Sequence, residues 1–308
     1  MKSETKGWML LAVLACIWGS SFILMKKGMF TASGEVIFSD VQVASLRMLF
    51  ASIALLPMAI RAFRRIKSFR DLILLVIVGF FGNYFPAYLF TYAELGLSSS
   101  YTGMLNSCTP IFALLIGFVI FKDRLTRIQL LGVLIGTVGI VLLSIAGQDL
   151  ELSGDWRHVF AVVLASMCYG ISLNTIKYTL QGYTSIDITS MAFFTVLLPS
   201  VVVTFTSGTL ETIQINDFAV SGLIYILVLS LVGTAFAVIL FNQLIASSSV
   251  LFASSVTYLI PIVAVIIGVS VGEKIGIYQL LSMVIVLLGV FIANYLPKLN
   301  WYKSRYNG

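Results

Sequence analysis

Charged residues are scarce in this 308-residue chain: they make up 10 % of it, against roughly a quarter in ordinary soluble domains. Hydrophobic residues make up 59 %, and the mean hydropathy is +1.03. Such a chain can cross a bilayer many times and leaves little for a water-soluble domain. The net charge of +6 comes from short basic segments between apolar runs, so no folded basic face and no nucleic-acid partner are expected.

Histidine and cysteine are also scarce. The lone His158 has no second histidine with which to build a metal site, so we expect no metal and no cofactor. The cysteines, Cys16, Cys108 and Cys168, all fall inside apolar runs, which argues against a disulfide framework. The centres of these runs hold no Asp, no histidine pair and no acidic cluster. Catalysis inside a membrane would need such groups, so the sequence points away from an enzyme.

Long apolar runs are the main feature that is present. They predict an all-α membrane protein with ten transmembrane helices, over residues 8–27, 40–60, 71–92, 98–121, 128–146, 157–177, 188–206, 218–241, 250–271 and 277–296. Lys2 and Lys6 before the first run imitate a signal peptide. That run is too long for one, so we interpret it as an uncleaved first span.

Lysine and arginine are unevenly distributed between the spans. With the N-terminus inside, 14 of the 19 basic residues fall on the inner side and four on the outer side, and Arg47 lies within a span. Short cytoplasmic segments are enriched in Lys and Arg. We therefore predict that both termini are cytoplasmic and that the protein is a multi-pass protein of the inner (plasma) membrane.

One pattern of small and polar residues occurs twice, 151 residues apart and with spacings of 3, 4, 3 and 4. Its two copies are Gly103, Asn106, Pro110, Ala113 and Gly117, then Ser254, Thr257, Pro261, Ala264 and Gly268. Such spacing places each set on one strip of a helix. Five spans in each half mean that the second half enters the membrane inverted, as in many secondary transporters. We predict two inverted five-helix domains, residues 1–147 and 148–308, the second with a short cytoplasmic tail.

Two stretches of the chain resemble the EamA-type repeats of the drug/metabolite transporter superfamily. They are the run from Ala15 to Phe22, with Trp18-Gly19-Ser20-Ser21, and the series Pro110, Gly117, Asp123, Gln129 and Gly139. The similarity extends from Trp8 to Tyr295. Glu273 stands at the acidic turn position that the family pattern usually has, and Asp123 in the first repeat departs mildly from it. The resemblance implies a ten-helix exporter of amino acids, other small metabolites or toxic compounds, and it does not identify the cargo.

Pro110 and Pro261 lie near the middle of their predicted spans, where each removes one backbone hydrogen bond. An unpaired carbonyl in lipid is costly, so such positions normally face protein or a water-filled cavity. We hypothesise that the two prolines flank a central cavity and soften their helices for gating. The glycines of spans four and five, including Gly132 and Gly136, are interpreted as positions of close helix packing.

Arg47 is a charged residue well inside a span, about 10 Å from its outer start. Such a residue is expensive in lipid and usually faces the bundle interior. It is a candidate anchor for a substrate carboxylate. The alternatives are snorkelling to the outer interface and a structural pair with Glu94 or Asp40.

Further candidates for substrate contact are polar or aromatic residues at membrane depth. Asn106 is the strongest single candidate, with an interhelical hydrogen bond as the alternative. The others are Asn83, Tyr84 and Tyr88 in span three, Thr257 in span nine, and the equivalent aromatic residues Trp18 and Tyr169. Core packing and interface anchoring are the alternatives for the aromatic residues. Glu94, at the outer end of span three, is a candidate for carrying a coupling proton or is simply solvated.

The leading hypothesis is an exporter of small organic metabolites, working by alternating access with a small-molecule substrate, the lipid bilayer and a proton or other coupling ion as partners. Amino acids or toxic compounds are the cargo classes considered first. A nucleotide-sugar-like carrier of the same architecture is an alternative, although phosphate-bearing cargo should need several buried basic residues and Arg47 stands alone. A membrane sensor or scaffold and an intramembrane enzyme are the remaining alternatives.

Overall fold

A computed structural model describes residues 2–146, 156–247 and 256–294. Within these ranges every regular element is helical, and the β contact they contain is an isolated bridge between Phe30 and Val36. The predicted all-α class is therefore confirmed. The predicted junction between residues 147 and 148 and the predicted C-terminal tail lie outside the described residues.

The described helices are numbered α1 to α14, with two π-helical segments named π1 and π2. In the first half they are α1 Lys2–Met29, α2 Asp40–Phe63, α3 Phe69–Gly79, π1 Phe80–Tyr84, α4 Phe85–Gly96, α5 Ser99–Asn106, α6 Thr109–Val119 and α7 Arg127–Ala146. In the second half they are α8 Trp156–Thr179, α9 Ser185–Thr206, α10 Thr209–Ile215, α11 Ala219–Ser230, π2 Leu231–Phe236, α12 Ala237–Ser247, α13 Val256–Ser270 and α14 Ile277–Asn294.

The lengths and composition of these helices suit a membrane. Among the described residues, 8 helical stretches are long and apolar enough to cross one, and Val256–Ser270 and Ile277–Ala293 are shorter apolar helices. They follow the order of the predicted spans, one for each. Large apolar side chains such as Val119 and Leu198, each 71 % exposed, cover the outside of the bundle. Such a surface is stable against lipid and would be unfavourable in water.

Several helices begin at residues that satisfy free backbone N–H groups. Ser39, Ser68, Ser98 and Thr184 are N-caps whose side chains each accept a hydrogen bond from the backbone N–H three residues later. At the start of α2 the side chain of Gln42 also accepts from the Ser39 backbone, which completes a capping box. Polar caps thus fix the ends of otherwise apolar helices.

Three of the predicted spans are interrupted. Span four divides into α5 and α6 at Ser107 and Cys108. Spans three and eight each contain a π-helical segment, and the segments Phe80–Tyr84 and Leu231–Phe236 start 151 residues apart, the offset of the sequence repeat. The positions of these interruptions could not be predicted from the sequence, because hydropathy reports burial in lipid and does not report the local hydrogen-bond pattern.

Spans five and ten pack closely along glycines. A Cβ atom on Gly289 would lie 2.3 Å from the backbone nitrogen of Gly136, and one on Gly132 would lie 2.4 Å from that of Ala293. Contacts this short leave no room for a side chain. The backbones of α7 and α14 therefore touch, in agreement with the packing interpretation of Gly132 and Gly136.

Candidate functional site

The break in span four lies next to Asn106, the last residue of α5. Ser107 and Cys108 form a tight turn, in which their N–H groups bond the carbonyls of Met104 and Leu105 three residues earlier. Pro110 lies in the first turn of α6 and, having no N–H, cannot donate to the carbonyl of Asn106. The turn therefore places both the carbonyl and the side chain of Asn106 at the break.

The side chain of Asn106 is half-buried, and its Oδ1 accepts a hydrogen bond of 3.2 Å from Thr109. This bond bridges the two parts of span four. It is not the bond to another span that was the alternative interpretation. The amide nitrogen of Asn106 donates no hydrogen bond to any residue that the structure describes. It is therefore available to a ligand.

Span nine repeats the relation between a polar residue and a proline four positions later. Pro261 is buried inside the continuous helix α13 and cannot donate to the carbonyl of Thr257, which is half-buried. The two prolines therefore differ in setting: Pro110 follows a break in its span, and Pro261 lies within a helix.

The π-helical segment of span eight receives two side chains from the first repeat. Trp18 donates its indole N–H to the carbonyl of Gly233 at 3.2 Å, and Arg47 donates its Nε–H to the hydroxyl of Thr234 at 3.2 Å. Thr234 donates in turn to the carbonyl of Leu229, five residues earlier, at 3.0 Å. A π-helical turn is wider than an α-helical one and often lies at a functional site. Here it joins the two repeats.

The side chain of Arg47 extends from span two and contacts residues of spans one and eight. Besides Thr234, its guanidinium contacts the sulfur of Met25 at 3.6 Å, and Tyr169 and Glu94 are its electrostatic neighbours. Its side chain makes no hydrogen bond to Glu94, so the alternative of a structural pair with that residue is not observed. Arg47 as a whole residue is half-buried, and no carboxylate of the described residues binds its guanidinium.

Glu94 is fully buried, at 0 % exposure, and neither of its carboxylate oxygens has a hydrogen-bond partner. The alternative that Glu94 is simply solvated is therefore wrong. Its charged neighbours are Lys26, Glu273 and Arg47. An unpartnered buried carboxylate is costly, and the cost is relieved by a proton or by a cation.

The candidate aromatic residues of spans three, one and six make contacts with other aromatic rings. The rings of Tyr84 and Tyr88 lie 4.7 Å apart, and the hydroxyl of Tyr88 is buried without a partner. The ring of Trp18 lies 5.2 Å from that of Phe241, and Tyr169 lies 6.0 Å from Phe90. These residues thus pack partly against other aromatic rings, in agreement with the core-packing alternative.

The predicted contact residues share a degree of exposure. Trp18, Arg47, Asn83, Tyr84, Tyr88, Asn106, Tyr169 and Thr257 are all half-buried. Arg47, Trp18 and Tyr169 lie in one neighbourhood, around π2. Asn83, Tyr84 and Tyr88 lie in or beside π1. Within the described part of the chain, no hydrogen bond or ring contact joins Asn106 to either group.

The sequence analysis missed Thr234 and two serines of the site. A Cβ atom on Gly82 would lie 2.4 Å from the hydroxyl of Ser172, and one on Gly233 would lie 3.0 Å from that of Ser21. Each glycine belongs to a π-helical segment, and each serine to the span that packs on it. The signal was present, because Gly82 precedes Asn83 as Gly233 precedes Thr234, at the repeat offset of 151.

At the end of the bundle away from Glu94, exposed polar side chains make contacts between the two halves. Asp123 accepts hydrogen bonds from Tyr178 and, at 3.3 Å, from Lys177, and the Tyr178 bond is the main cause that lowers the pKa of Asp123. Tyr183 donates to Asp71 at 2.7 Å; partial desolvation and this bond raise the pKa of Tyr183. A cleft of about 490 Å³ at the end of α2 is lined by Ile60, Arg61, Arg64 and Arg65. It lies away from the mid-membrane residues.

The described residues contain no group of three or more His, Cys, Asp or Glu side chains arranged to hold a metal ion. What the site offers instead is one guanidinium, amide and hydroxyl groups, and aromatic faces. Such groups bind a ligand and supply neither a nucleophile with its base nor a metal.

Comparison with known proteins matches the chain twice to one family. The model of the EamA-like transporter family matches residues 5–145 and again residues 156–295. A crystal structure of another protein, 12 % identical, superposes with a TM-score of 0.58 over 95 % of this chain and 97 % of that one. At that identity the superposition shows a shared fold alone.

Individual relatives are similar along nearly their whole length. An uncharacterized transporter of Archaeoglobus fulgidus is 24 % identical over 93 % of this chain and 98 % of its own. A probable terminal-alkyne amino-acid exporter of Streptantibioticus cattleyicolor is 23 % identical over 96 % and 95 %. A probable amino-acid metabolite efflux pump of Salmonella typhimurium is 24 % identical over 94 % and 95 %. This chain belongs to the EamA-like transporter family and is a membrane transporter of small molecules, not an enzyme.

Proposed function

We propose that this transporter exports amino acids or closely related small metabolites across the plasma membrane by alternating access. One observation carries the proposal: polar and aromatic residues at membrane depth remain half-buried around interrupted helices. Interrupted helices and inverted repeats accompany midplane substrate sites in secondary transporters. The names of the two exporters among the relatives favour amino-acid cargo.

Arg47 is the proposed anchor for the cargo carboxylate. Its guanidinium is oriented by Thr234 through the Nε–H, and its terminal N–H groups make no bond to a carboxylate of the described residues. Two parallel N–H donors match the geometry of a carboxylate. Asn83, Asn106 and Thr257 are the proposed polar contacts for the rest of the cargo. Trp18, Tyr84, Tyr88 and Tyr169 are its proposed aromatic walls.

Gating is proposed to involve Pro110 and Pro261, with each five-helix half acting as a unit. Each proline weakens its span at the carbonyl four residues earlier, at Asn106 and at Thr257. A span weakened next to a contact residue can bend there while its ends stay fixed. The weakening and the cargo contact thus coincide in both repeats.

Glu94 is the proposed carrier of a coupling proton. It is buried without a hydrogen-bond partner, and Lys26 and Arg47 are its cationic neighbours. Exposure of the outer end of span three would let Glu94 exchange its proton with the outside. We also propose that both termini are cytoplasmic, since basic residues gather on that side.

Counterflow exchange in proteoliposomes tests the proposal, with pools of labelled amino acids, nucleosides, sugars and cationic dyes. We expect exchange from an amino-acid pool and its loss in Asn106→Ala. Asn216→Ala, in the segment before α11, is the control, because it replaces the same residue type away from the site. No exchange from any pool by well-folded protein would contradict the proposal.

A further inference from the structure

Glu273 accepts three hydrogen bonds that join the two halves. It lies in the turn between α13 and α14, and its carboxylate accepts from the N–H of Ser99 at 2.8 Å, from the N–H of Ser100 at 2.8 Å and from the hydroxyl of Ser100 at 2.5 Å. Ser99 and Ser100 are the first two residues of α5. A carboxylate from the second repeat therefore holds the start of a half-helix of the first.

The charge of Glu273 suits this place. The start of a helix carries free N–H groups and a partial positive charge, which a carboxylate stabilises. Hydrogen bonds to an ionised acceptor are about twice as strong as those between neutral groups. Ser98 already caps the N–H of Tyr101, so Glu273 and Ser98 together satisfy the first N–H groups of α5.

Gly268, near the end of α13, leaves space for the carboxylate of Glu273. A Cβ atom on Gly268 would lie 1.7 Å from the hydroxyl of Ser100 and 2.3 Å from a carboxylate oxygen of Glu273. Only a residue without a side chain fits at that point. The N–H of Glu273 bonds the carbonyl of Gly268 at 2.9 Å, so Gly268 also fixes the turn that carries the carboxylate.

The half-helix that Glu273 holds ends at the candidate site. α5 has eight residues and runs from the capped Ser99 to Asn106 at the break in span four. The break separates it from α6, so α5 can move as a short rigid rod. The position of Asn106 therefore depends on the contact at the other end of α5.

The equivalent acidic residue of the first repeat makes a different kind of contact. Asp123 lies on the exposed side chains of Lys177 and Tyr178. Lys26 occupies the position of Lys177 in the other repeat, at the offset of 151, and donates to the carbonyl of Leu97 at 2.7 Å. One acidic turn is thus bound to a helix start and the other to a surface lysine. Inverted repeats exchange such arrangements between the two access states.

We propose that Glu273 is a positioning residue for transport. While the outer side is closed, its carboxylate holds the start of α5. When that side opens, the carboxylate leaves α5 and pairs with Lys26. The proposal rests on the alternating-access function proposed above. It assigns the outer closure to a contact between one carboxylate and one helix start. In the open state α5 shifts, and Asn106 with it.

Labelling of a buried thiol tests this without any cargo. The side chain of Ser99 is 2 % exposed and its hydroxyl has no partner, so Ser99→Cys keeps the backbone N–H that Glu273 binds. A membrane-impermeant maleimide added from outside reaches this thiol only when the outer side opens. Labelling of the chain without Ser99→Cys gives the baseline from the native cysteines.

Glu273→Gln removes the charge, and Glu273→Asp keeps the charge but shortens the side chain. We expect each to raise the labelling rate of Ser99→Cys on the order of tenfold, because a charge-assisted contact that favours closure is lost. Glu35→Gln, which removes an exposed carboxylate from the loop after α1, should leave the rate unchanged. Unchanged labelling in both folded Glu273 variants would overturn the proposal.

Gly268→Ala gives a second test, in which Glu273 itself is retained. The added methyl group displaces Ser100 and the carboxylate, so labelling should again increase. If neither Glu273 variant folds, unchanged labelling in folded Gly268→Ala overturns the proposal. Because labelling needs no substrate, increased labelling without exchange of any cargo would reject the proposed export function and leave the role of Glu273 intact.

Discussion

Arg47 in span two donates a hydrogen bond to Thr234 in the π-helical segment of span eight, at 3.2 Å across the two repeats. A threonine hydroxyl orients a guanidinium without neutralising it. The positive charge therefore stays available at membrane depth, where a charged group is expensive unless it has a role. This relationship favours a ligand anchor over the snorkelling alternative.

Arg47→Gln should weaken binding of an anionic or zwitterionic cargo by about tenfold to a hundredfold, since a hydrogen bond to a charged group contributes about 1.5–3 kcal/mol. Exchange measured over a range of cargo concentrations checks this, and the loss should appear in the half-saturation concentration.

Thr234→Val separates orientation from charge. It removes the hydroxyl and keeps the shape, so its effect should have the same direction as that of Arg47→Gln and be smaller. An unchanged half-saturation concentration in folded Arg47→Gln would restore the structural interpretation of the arginine.

Gly289→Ala should destabilise the protein by about 1–3 kcal/mol, the usual cost of overpacking. A Cβ atom there would lie 2.3 Å from the Gly136 nitrogen, so α14 must move away from α7. Thermal unfolding in detergent measures the loss. Leu288→Ala, at a neighbouring position that is 52 % exposed, provides the control and should cost less, because its side chain packs on lipid or detergent. Equal unfolding temperatures for Gly289→Ala and the native chain would refute the close contact.

The helical class and the repeat could be predicted from the sequence because both follow from its composition and from the spacing of its residues. Ten apolar runs and a residue pattern that recurs 151 residues later can be recognised without knowledge of contacts. The break at Ser107 is different, since neither Ser107 nor Cys108 is a helix breaker and Pro110 lies beyond the break. The turn there depends on local hydrogen bonds that hydropathy does not report.

The same limit applies to the site. Arg47 could be singled out because its charge is unusual in lipid, but its partner Thr234 is an ordinary residue in an apolar span. Glu94 looked like a solvated helix end, since its position along span three says nothing of what covers it. In the folded protein it is a fully buried carboxyl. Contacts between distant segments are a property of the fold, and the composition and spacing of a single sequence do not report them.

Glu94→Gln should abolish the response of transport to an imposed pH gradient and preserve exchange without one. Glutamine has the shape of the protonated acid and cannot release a proton, so cargo can still cross while coupling is lost. Uptake of labelled cargo with and without a gradient checks this.

Glu211→Gln is the matched control, because Glu211 is exposed on α10 and loses the same charge. It should keep the response to the gradient. Gradient-driven accumulation that survives in Glu94→Gln would exclude Glu94 as the proton carrier.

Asp123→Asn should destabilise the protein by an amount that is constant from about pH 8 to about pH 5 and shrinks below about pH 4. The hydrogen bond from Tyr178 is the main cause that lowers the pKa of Asp123 in the folded protein. A lowered pKa means that the carboxylate's contribution to stability is present above its unfolded pKa and is lost as the pH falls through its folded pKa.

Since the Asp123 and Lys177 side chains are 48 % and 61 % exposed, the effect should be small and should weaken in high salt. Unfolding temperatures of the native chain and the variant in detergent, compared at each pH, measure it. A difference that changes between about pH 6 and about pH 8 would show that another group titrates at this contact.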